Sequence, residues 1–130
     1  MATKTHSFFR KLLHSVPFVI PVVFYLSSIS TGIGLPDSAI LIDAMSGPSI
    51  SSHSCNHNLT NLAGWFFINL LPAINTALAA NLFSMACGSA AVVLFYLILL
   101  RLGINRLFSA LCSCVFMVSH SLWWHSTRVE

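Results

Sequence analysis

Long apolar runs separated by short polar breaks make up most of this chain, and the breaks predict where helices begin and end. The first run extends from Leu12 to Gly34, close to the ~20 residues a bilayer crossing needs. Pro17 and Pro21 lie inside it and predict a bend, which spanning helices tolerate where neighbours satisfy the freed backbone groups. Gly32, Gly34 and Pro36 end the run. Asp37 is then placed to cap a short helix, its carboxylate accepting from the first free N–H groups. Ile40, Leu41, Ala44 and Met45 fall on one stripe of that helix, the pattern of a helix lying at an interface. Ser46 to Thr60 is polar, with Gly47 and Pro48 as breakers.

Charge decides how the later runs are divided. Only three of 130 residues are acidic, and Asp37 and Asp43 share the stretch from Pro36 to Thr60, which holds no Lys or Arg. The bases cluster at Lys4, Arg10 and Lys11, then at Arg101 and Arg106, with Arg128 further on. Cytoplasmic segments of membrane proteins are rich in Lys and Arg, so the alternation orients the chain with its N-terminus inside and both Asp residues outside. The run from Leu59 to Leu100 is long enough to cross twice, but two crossings would carry Arg101 and Arg106 outside. We therefore expect Leu59 to Leu71 to be an interfacial or re-entrant helix, with Trp65 in the headgroup region and Pro72 as its break. Ala77 to Leu100 is then the second span. The third, Leu107 to Trp124, returns outward and ends on the aromatic anchor Trp123-Trp124. Ala79, Ala80, Ser84, Ala86, Gly88, Ala90 and Ala91 allow close packing of the second span against its neighbours.

Composition agrees with this division. The chain is 56% hydrophobic and 7% charged, against about a quarter charged in soluble domains. Its net charge of +3 is spread over flanks of apolar runs, so no basic face for nucleic acid is expected. Of the four cysteines, Cys87, Cys112 and Cys114 sit in apolar runs and behave as small hydrophobes; Cys55 lies alone in the polar loop. No disulfide framework, zinc pattern or CxxC pair follows from these spacings. Pro17, Pro21 and the lack of a small-x-small site argue for an uncleaved anchor over a signal peptide.

The expected class is all-α integral membrane, with about three transmembrane helices and one or two interfacial helices in the first outer loop. The segments are a cytoplasmic N-terminus (1–11), a first span (12–35), an outer loop (36–76), a second span (77–100), a cytoplasmic loop (101–106), a third span (107–124) and the start of an outer segment (125–130).

Three segments carry a family resemblance: Asp37-Ser38 followed by an apolar helix; Leu71-Pro72 through Asn75 to Asn81-Leu82-Phe83-Ser84, leading toward Phe95-Tyr96-Leu97; and Ser119 through Trp123-Trp124 to Val129-Glu130. In order and spacing, from Tyr25 onward, they resemble the N-terminal part of the domain-of-unknown-function 2723 family. These are polytopic glycosyltransferases of GT-C architecture, related to transmembrane protein O-mannosyltransferases. The resemblance implies sugar transfer from a polyprenyl-phosphate donor to an extracytoplasmic acceptor, in a multi-pass protein of a bacterial inner membrane and without a cofactor. It further implies that these residues are the front of a longer enzyme and inactive alone. There are departures. Ala39-Ile40 stands where the family has Gly-Glu, and His53-Ser54-Cys55-Asn56-His57 lacks the family's prolines.

The chemistry so implied needs a base at the lipid–water boundary, since an acceptor hydroxyl must lose its proton as the sugar carbon becomes oxocarbenium-like. Asp37 stands there, and a helix cap needs the same oxygen atoms, so both roles are open to it. His53 aligns with the family's loop histidine and would touch donor phosphate or acceptor. Arg128 would clamp a phosphate through paired hydrogen bonds or anchor beside Glu130, whose segment completes the expected substrate site. Asp43 reads as a solvated residue, and His120 as an interfacial one. His53 and His57 have i, i+4 spacing, but the polar residues between them favour a loop, and no metal site is expected. Asn58-Leu59-Thr60 fits the N-glycosylation pattern, which is common by chance. The expected partners are the lipid bilayer, the donor implied by the resemblance and a protein or glycan acceptor whose identity the sequence does not give; no nucleic acid is expected. The alternative is a non-catalytic polytopic protein, either a bundle subunit or part of a transporter, although of the intramembrane ionisable residues that mark transport paths only His14 and His120 approach that role, both near span ends. A relic without function would fit the lost Glu.

Overall fold

A computed structural model describes residues 2–34, 36–47 and 58–129, and the side chains of all of these except residues 2–14, 36 and 37. Six helices follow one another: α1 (Ala2–Ser27), α2 (Pro36–Ser46), α3 (Asn58–Asn69), α4 (Thr76–Arg101), α5 (Arg106–Met117) and α6 (His120–Thr127). No strand occurs among the described residues, so the all-helical expectation holds.

The axis of the molecule is α4, and its ends are set by local chemistry. Asn75 caps its start, the side-chain oxygen accepting from the Ala77 N–H at 2.8 Å, which satisfies one of the unpaired donors of a first turn. At its other end Gly103 adopts φ +82°, a conformation that costs a glycine little. That turn lets the Gly103 N–H reach the Leu100 carbonyl and the Ile104 N–H reach the Leu99 carbonyl, both at 3.1 Å. This is a Schellman stop. Asn105 then caps α5 by accepting from the Phe108 N–H at 3.0 Å.

Among the described helices, α4 alone is long and apolar enough to cross a membrane by itself, and 22% of its most apolar stretch is buried. Ser15–Ser27 of α1 is a shorter apolar helix, and α5 with α6 forms a pair bent by 65°. The third expected span is therefore broken between Met117 and His120. The Ser119 hydroxyl donates to the Phe116 carbonyl at 2.7 Å, and the Met117 carbonyl at the bend accepts from the buried Tyr25 hydroxyl at 2.9 Å. A break inside apolar surroundings is stable only when such freed groups find partners.

Helix directions follow from the pairings. Tyr25, Val92 and Met117 meet in one cluster with Leu122 and Trp123 packed against it. Phe95 stacks obliquely on Phe116 with centroids 4.7 Å apart. At the other level Leu41, Ile42, Met45, Ala77, Ala80 and Val129 form a second cluster. Hence α1 runs antiparallel to α4, and α5–α6 runs back along α4 toward its start. The start of α1 and the α4–α5 turn share one end of the bundle; α2 and the end of α6 share the other.

Four local expectations change. The first helix stops at Ser27 instead of Gly34, because Ser27 and Ser28 return their hydroxyls to the Phe24 carbonyl at 2.7 and 3.2 Å, and the following residues bond to other elements. Helix α2 starts at Pro36, where the missing N–H is harmless, so Asp37 lies inside the first turn and not before it. The buried stripe of α2 is Ser38, Leu41, Ile42 and Met45, while Ile40 is 63% exposed. The helix is rotated because it packs on α3 and α4 together. Of the small residues in α4, Ala79, Ala80 and Gly88 are buried, whereas Ala86 and Ala90 face outward.

Candidate functional site

Asn81 sits on α4, 2% exposed, inside an otherwise apolar helix. A buried amide is costly unless it is hydrogen-bonded. Here its Nδ2 donates to the Ser30 carbonyl at 2.8 Å and to the Gly32 carbonyl at 3.3 Å. Its Oδ1 accepts from the Val129 N–H at 2.9 Å. The Ser30 N–H in turn donates to the Thr127 carbonyl at 3.0 Å. One side chain thereby fastens the α1–α2 connection and the segment after α6 to the start of α4. Trp123 adds a tie, its indole N–H donating to the Ser28 hydroxyl at 3.0 Å.

Arg128 follows α6 in extended backbone, φ −147° and ψ 147°. Its guanidinium carbon lies 3.9 Å from the centroid of a Trp124 ring, a favourable cation–π position. His120 stacks on Trp124 with centroids 5.9 Å apart and planes at 17°. The four-residue spacing lines up His120 and Trp124 on α6, and the extended backbone after the helix lays Arg128 against the Trp124 ring. The stem of Arg128 reaches the α1–α2 connection. A Cβ added at Gly34 would sit 3.7 Å from Arg128 Cδ and 3.7 Å from Ser38 Oγ.

The Arg128 stem and the Ser38 side chain, from the first turn of α2, thus both border Gly34. The Asp37 side chain, His53 and Glu130 lie outside the described residues, as do Cys55 and His57. Asp43 is exposed on α2, as a solvated residue should be. His120 is exposed and held against Trp124. Among the described residues, no three His, Cys, Asp or Glu side chains approach a common point.

No protein-family model, curated protein or solved structure matches this chain.

Asn81 is the residue whose role the sequence left unassigned. It entered only as part of Asn81-Leu82-Phe83-Ser84. A lone amide among apolar residues was a usable signal, because such a group must find partners from another segment. Which segment supplies them is not written in the local pattern.

Proposed function

We propose that this chain forms part of a membrane glycosyltransferase, with its acceptor and donor meeting at the Asn81 end of the bundle. In this reading α4 spans the bilayer, with α1 and the bent α5–α6 pair beside it and α2 and α3 at the outer boundary. The Asp37 carboxylate takes the acceptor hydroxyl proton as the new C–O bond forms at the anomeric carbon. The old bond to phosphate breaks in the same displacement, and the lipid phosphate leaves with the electron pair. Arg128 stabilises the charge on that leaving phosphate. His53 and Glu130 complete the contacts.

The observation that carries the reading is that the Arg128 stem lies beside Gly34, a position that Ser38 of the α2 start also borders. It joins a cation suited to phosphate to the turn bearing a carboxylate, from segments remote in sequence. The uneven distribution of charge along the chain and the apolar length of α4 support a membrane setting for this reading.

The test uses membranes containing the whole natural protein and radiolabelled polyprenyl-phosphate sugars. Asp37→Asn should lower transfer by ~10²–10⁴-fold, the range for losing a general base, with membrane insertion unchanged. Unchanged transfer by Asp37→Asn would overturn the reading. A non-catalytic bundle subunit is the second reading, favoured by the exposed sides of α4, which further helices as well as lipid can cover. That result would leave it standing.

A further inference from the structure

The end of the bundle away from Asn81 is built from the α4–α5 turn and the start of α1. Arg101 and Arg106 stand on either side of that turn, and both are exposed. The apolar residues around them are exposed as well, Leu102 by 72%, Ile104 by 37%, Leu107 by 53% and Phe108 by 58%. Bases interleaved with apolar surface suit a lipid–water boundary, where the stems lie in the apolar layer and the charged heads reach the headgroups. The chain has only three acids, and none is in these segments. Asp37 and Asp43 belong to α2 at the opposite end, and Glu130 directly follows Val129, which packs there.

The register of α1 brings further bases to the same level. Val16, Pro17 and Ile20 of α1 share a crevice with Ser113 and Cys114 of α5, and the two helices run in the same direction. From Ser113 back to Arg106 is about 10 Å at 1.5 Å per residue. The same distance back along α1, from Val16 and Ile20, reaches positions 9 to 13, among which are Arg10 and Lys11. The sides of α1 follow from its exposure pattern. Pro17, Pro21 and Tyr25 are buried, and steps of three and four residues carry that side back through position 14 to Arg10. Val19, Val23 and Leu26 are exposed, and the stripe they define runs back through Val16 to Leu12 and Phe8. From Phe8 to Leu26 it is about 27 Å long, against a hydrocarbon layer of about 30 Å. Arg10 thus shares the register of the bundle side, with Lys11 next to it, and the apolar stripe is on the other side.

We infer that Arg101, Arg106, Arg10 and Lys11 form a binding site for the headgroup of an anionic phospholipid. Three helices bring four bases to one level, and like charges so gathered repel one another until an anion lies among them. Basic pockets between helices at the cytoplasmic boundary take anionic lipid heads. The apolar residues beside the bases select a lipid over a soluble anion, since Leu102 follows Arg101, and Leu107 and Phe108 follow Arg106. The inference rests on the membrane setting proposed above and uses none of its transfer chemistry. The two sites are separate, Arg101 being about 30 Å along α4 from Asn81.

The full chain in detergent is titrated with phosphatidylglycerol or phosphatidylcholine at fixed salt, and bound lipid is counted by native mass spectrometry. Phosphatidylglycerol should half-saturate the protein at a concentration about tenfold or more below phosphatidylcholine, and added salt should narrow the gap by screening. Arg101→Gln, Arg106→Gln and Lys11→Gln should each raise the half-saturating concentration about fivefold, the equivalent of about 1 kcal/mol for one base at a lipid surface. Arg106→Lys keeps the charge and should stay within about twofold of the parent. Arg128→Gln removes an equal charge at the other end and should change nothing. Equal binding of the two lipids, or an equal loss on Arg128→Gln, would overturn the site. Displacement of the lipid by inorganic phosphate at constant ionic strength would assign the bases to a soluble anion and overturn the occupant. No lipid selectivity in a protein whose Ser46 and Asn105 positions label from opposite sides of a vesicle would sink the site and leave the membrane setting intact. Selective binding combined with normal transfer by Asp37→Asn would retain the site and remove only the catalytic reading.

Discussion

Gly88 is where α6 crosses α4, and adding one methyl group there tests the packing directly. A Cβ at Gly88 would collide with Ser126 Oγ, lie 2.6 Å from Ser126 Cβ and 3.4 Å from Ser126 Cα. Carbon atoms prefer ~3.5–4.0 Å, so relief requires a shift of about 1 Å. Rotating Ser126 moves its hydroxyl and leaves its Cβ in place, so the helix itself must move. The segment after α6 is held by the Thr127 carbonyl and the Val129 N–H at 3.0 and 2.9 Å. A shift of that size would take one or both beyond hydrogen-bond range, which ends near ~3.2 Å. Overpacking costs ~1–3 kcal/mol, and each lost hydrogen bond about 1 kcal/mol. Against this, alanine gains about 1 kcal/mol over glycine in helix propensity. Gly88→Ala should therefore destabilise the bundle by about 1–4 kcal/mol, read by far-UV circular dichroism during unfolding in mixed micelles. Ser126→Ala should not rescue it, because the offending Cβ remains. Ser126→Gly should, giving a coupling of at least about 1 kcal/mol in a double-mutant cycle. A Gly88→Ala protein as stable as the parent, or more so, would refute the crossing.

Gly64 offers a contrast within the same chain. Its added Cβ would meet the side chain of Met45, with Sδ at 2.5 Å, Cγ at 2.8 Å and Cε at 3.1 Å. A thioether can swing aside, so Gly64→Ala should change stability by less than about 1 kcal/mol, helix propensity offsetting the repacking; a loss equal to that of Gly88→Ala would contradict this. Asn81→Leu should cost ~2–5 kcal/mol, since it leaves the Val129 N–H and the Ser30 carbonyl without this partner. Hydrogen exchange at Val129 should accelerate, and unchanged protection there would refute the tie. Tyr25→Phe removes the donor to the Met117 carbonyl and should destabilise by about 1–3 kcal/mol, measured by the same unfolding assay. Single cysteines at Ser46 and Asn105 in a cysteine-free chain should label from opposite sides of a vesicle; labelling from one side would dismiss α4 as a span.

The limits of α3 and α4 were legible in the sequence, within about two residues, because they depend on local chemistry. Pro36 opens α2, Pro72 follows the end of α3, Asn75 and Asn105 cap α4 and α5, and Gly103 supplies a left-handed turn, each acting within a few residues. The expected span from Ala77 to Leu100 and the observed Thr76–Arg101 differ by one residue at each end. Charge placement also needed no fold: the basic stretches follow the start of α1 and the α4–α5 turn, while Asp37 and Asp43 fall on α2 at the other end. What the chain did not disclose is which side of each helix is covered. A helix that is apolar all round carries little contrast to mark its buried face. Thus Ile42 is buried and Ile40 exposed on α2, and Gly88 packs where Ala90 does not. The break at Met117 and the early end of α1 belong to the same class, since both are stabilised by hydrogen bonds to groups from distant segments. The meeting of Arg128 with Gly34 is decided only in three dimensions, because Asn81 ties together backbone groups that are adjacent in space and far apart in sequence.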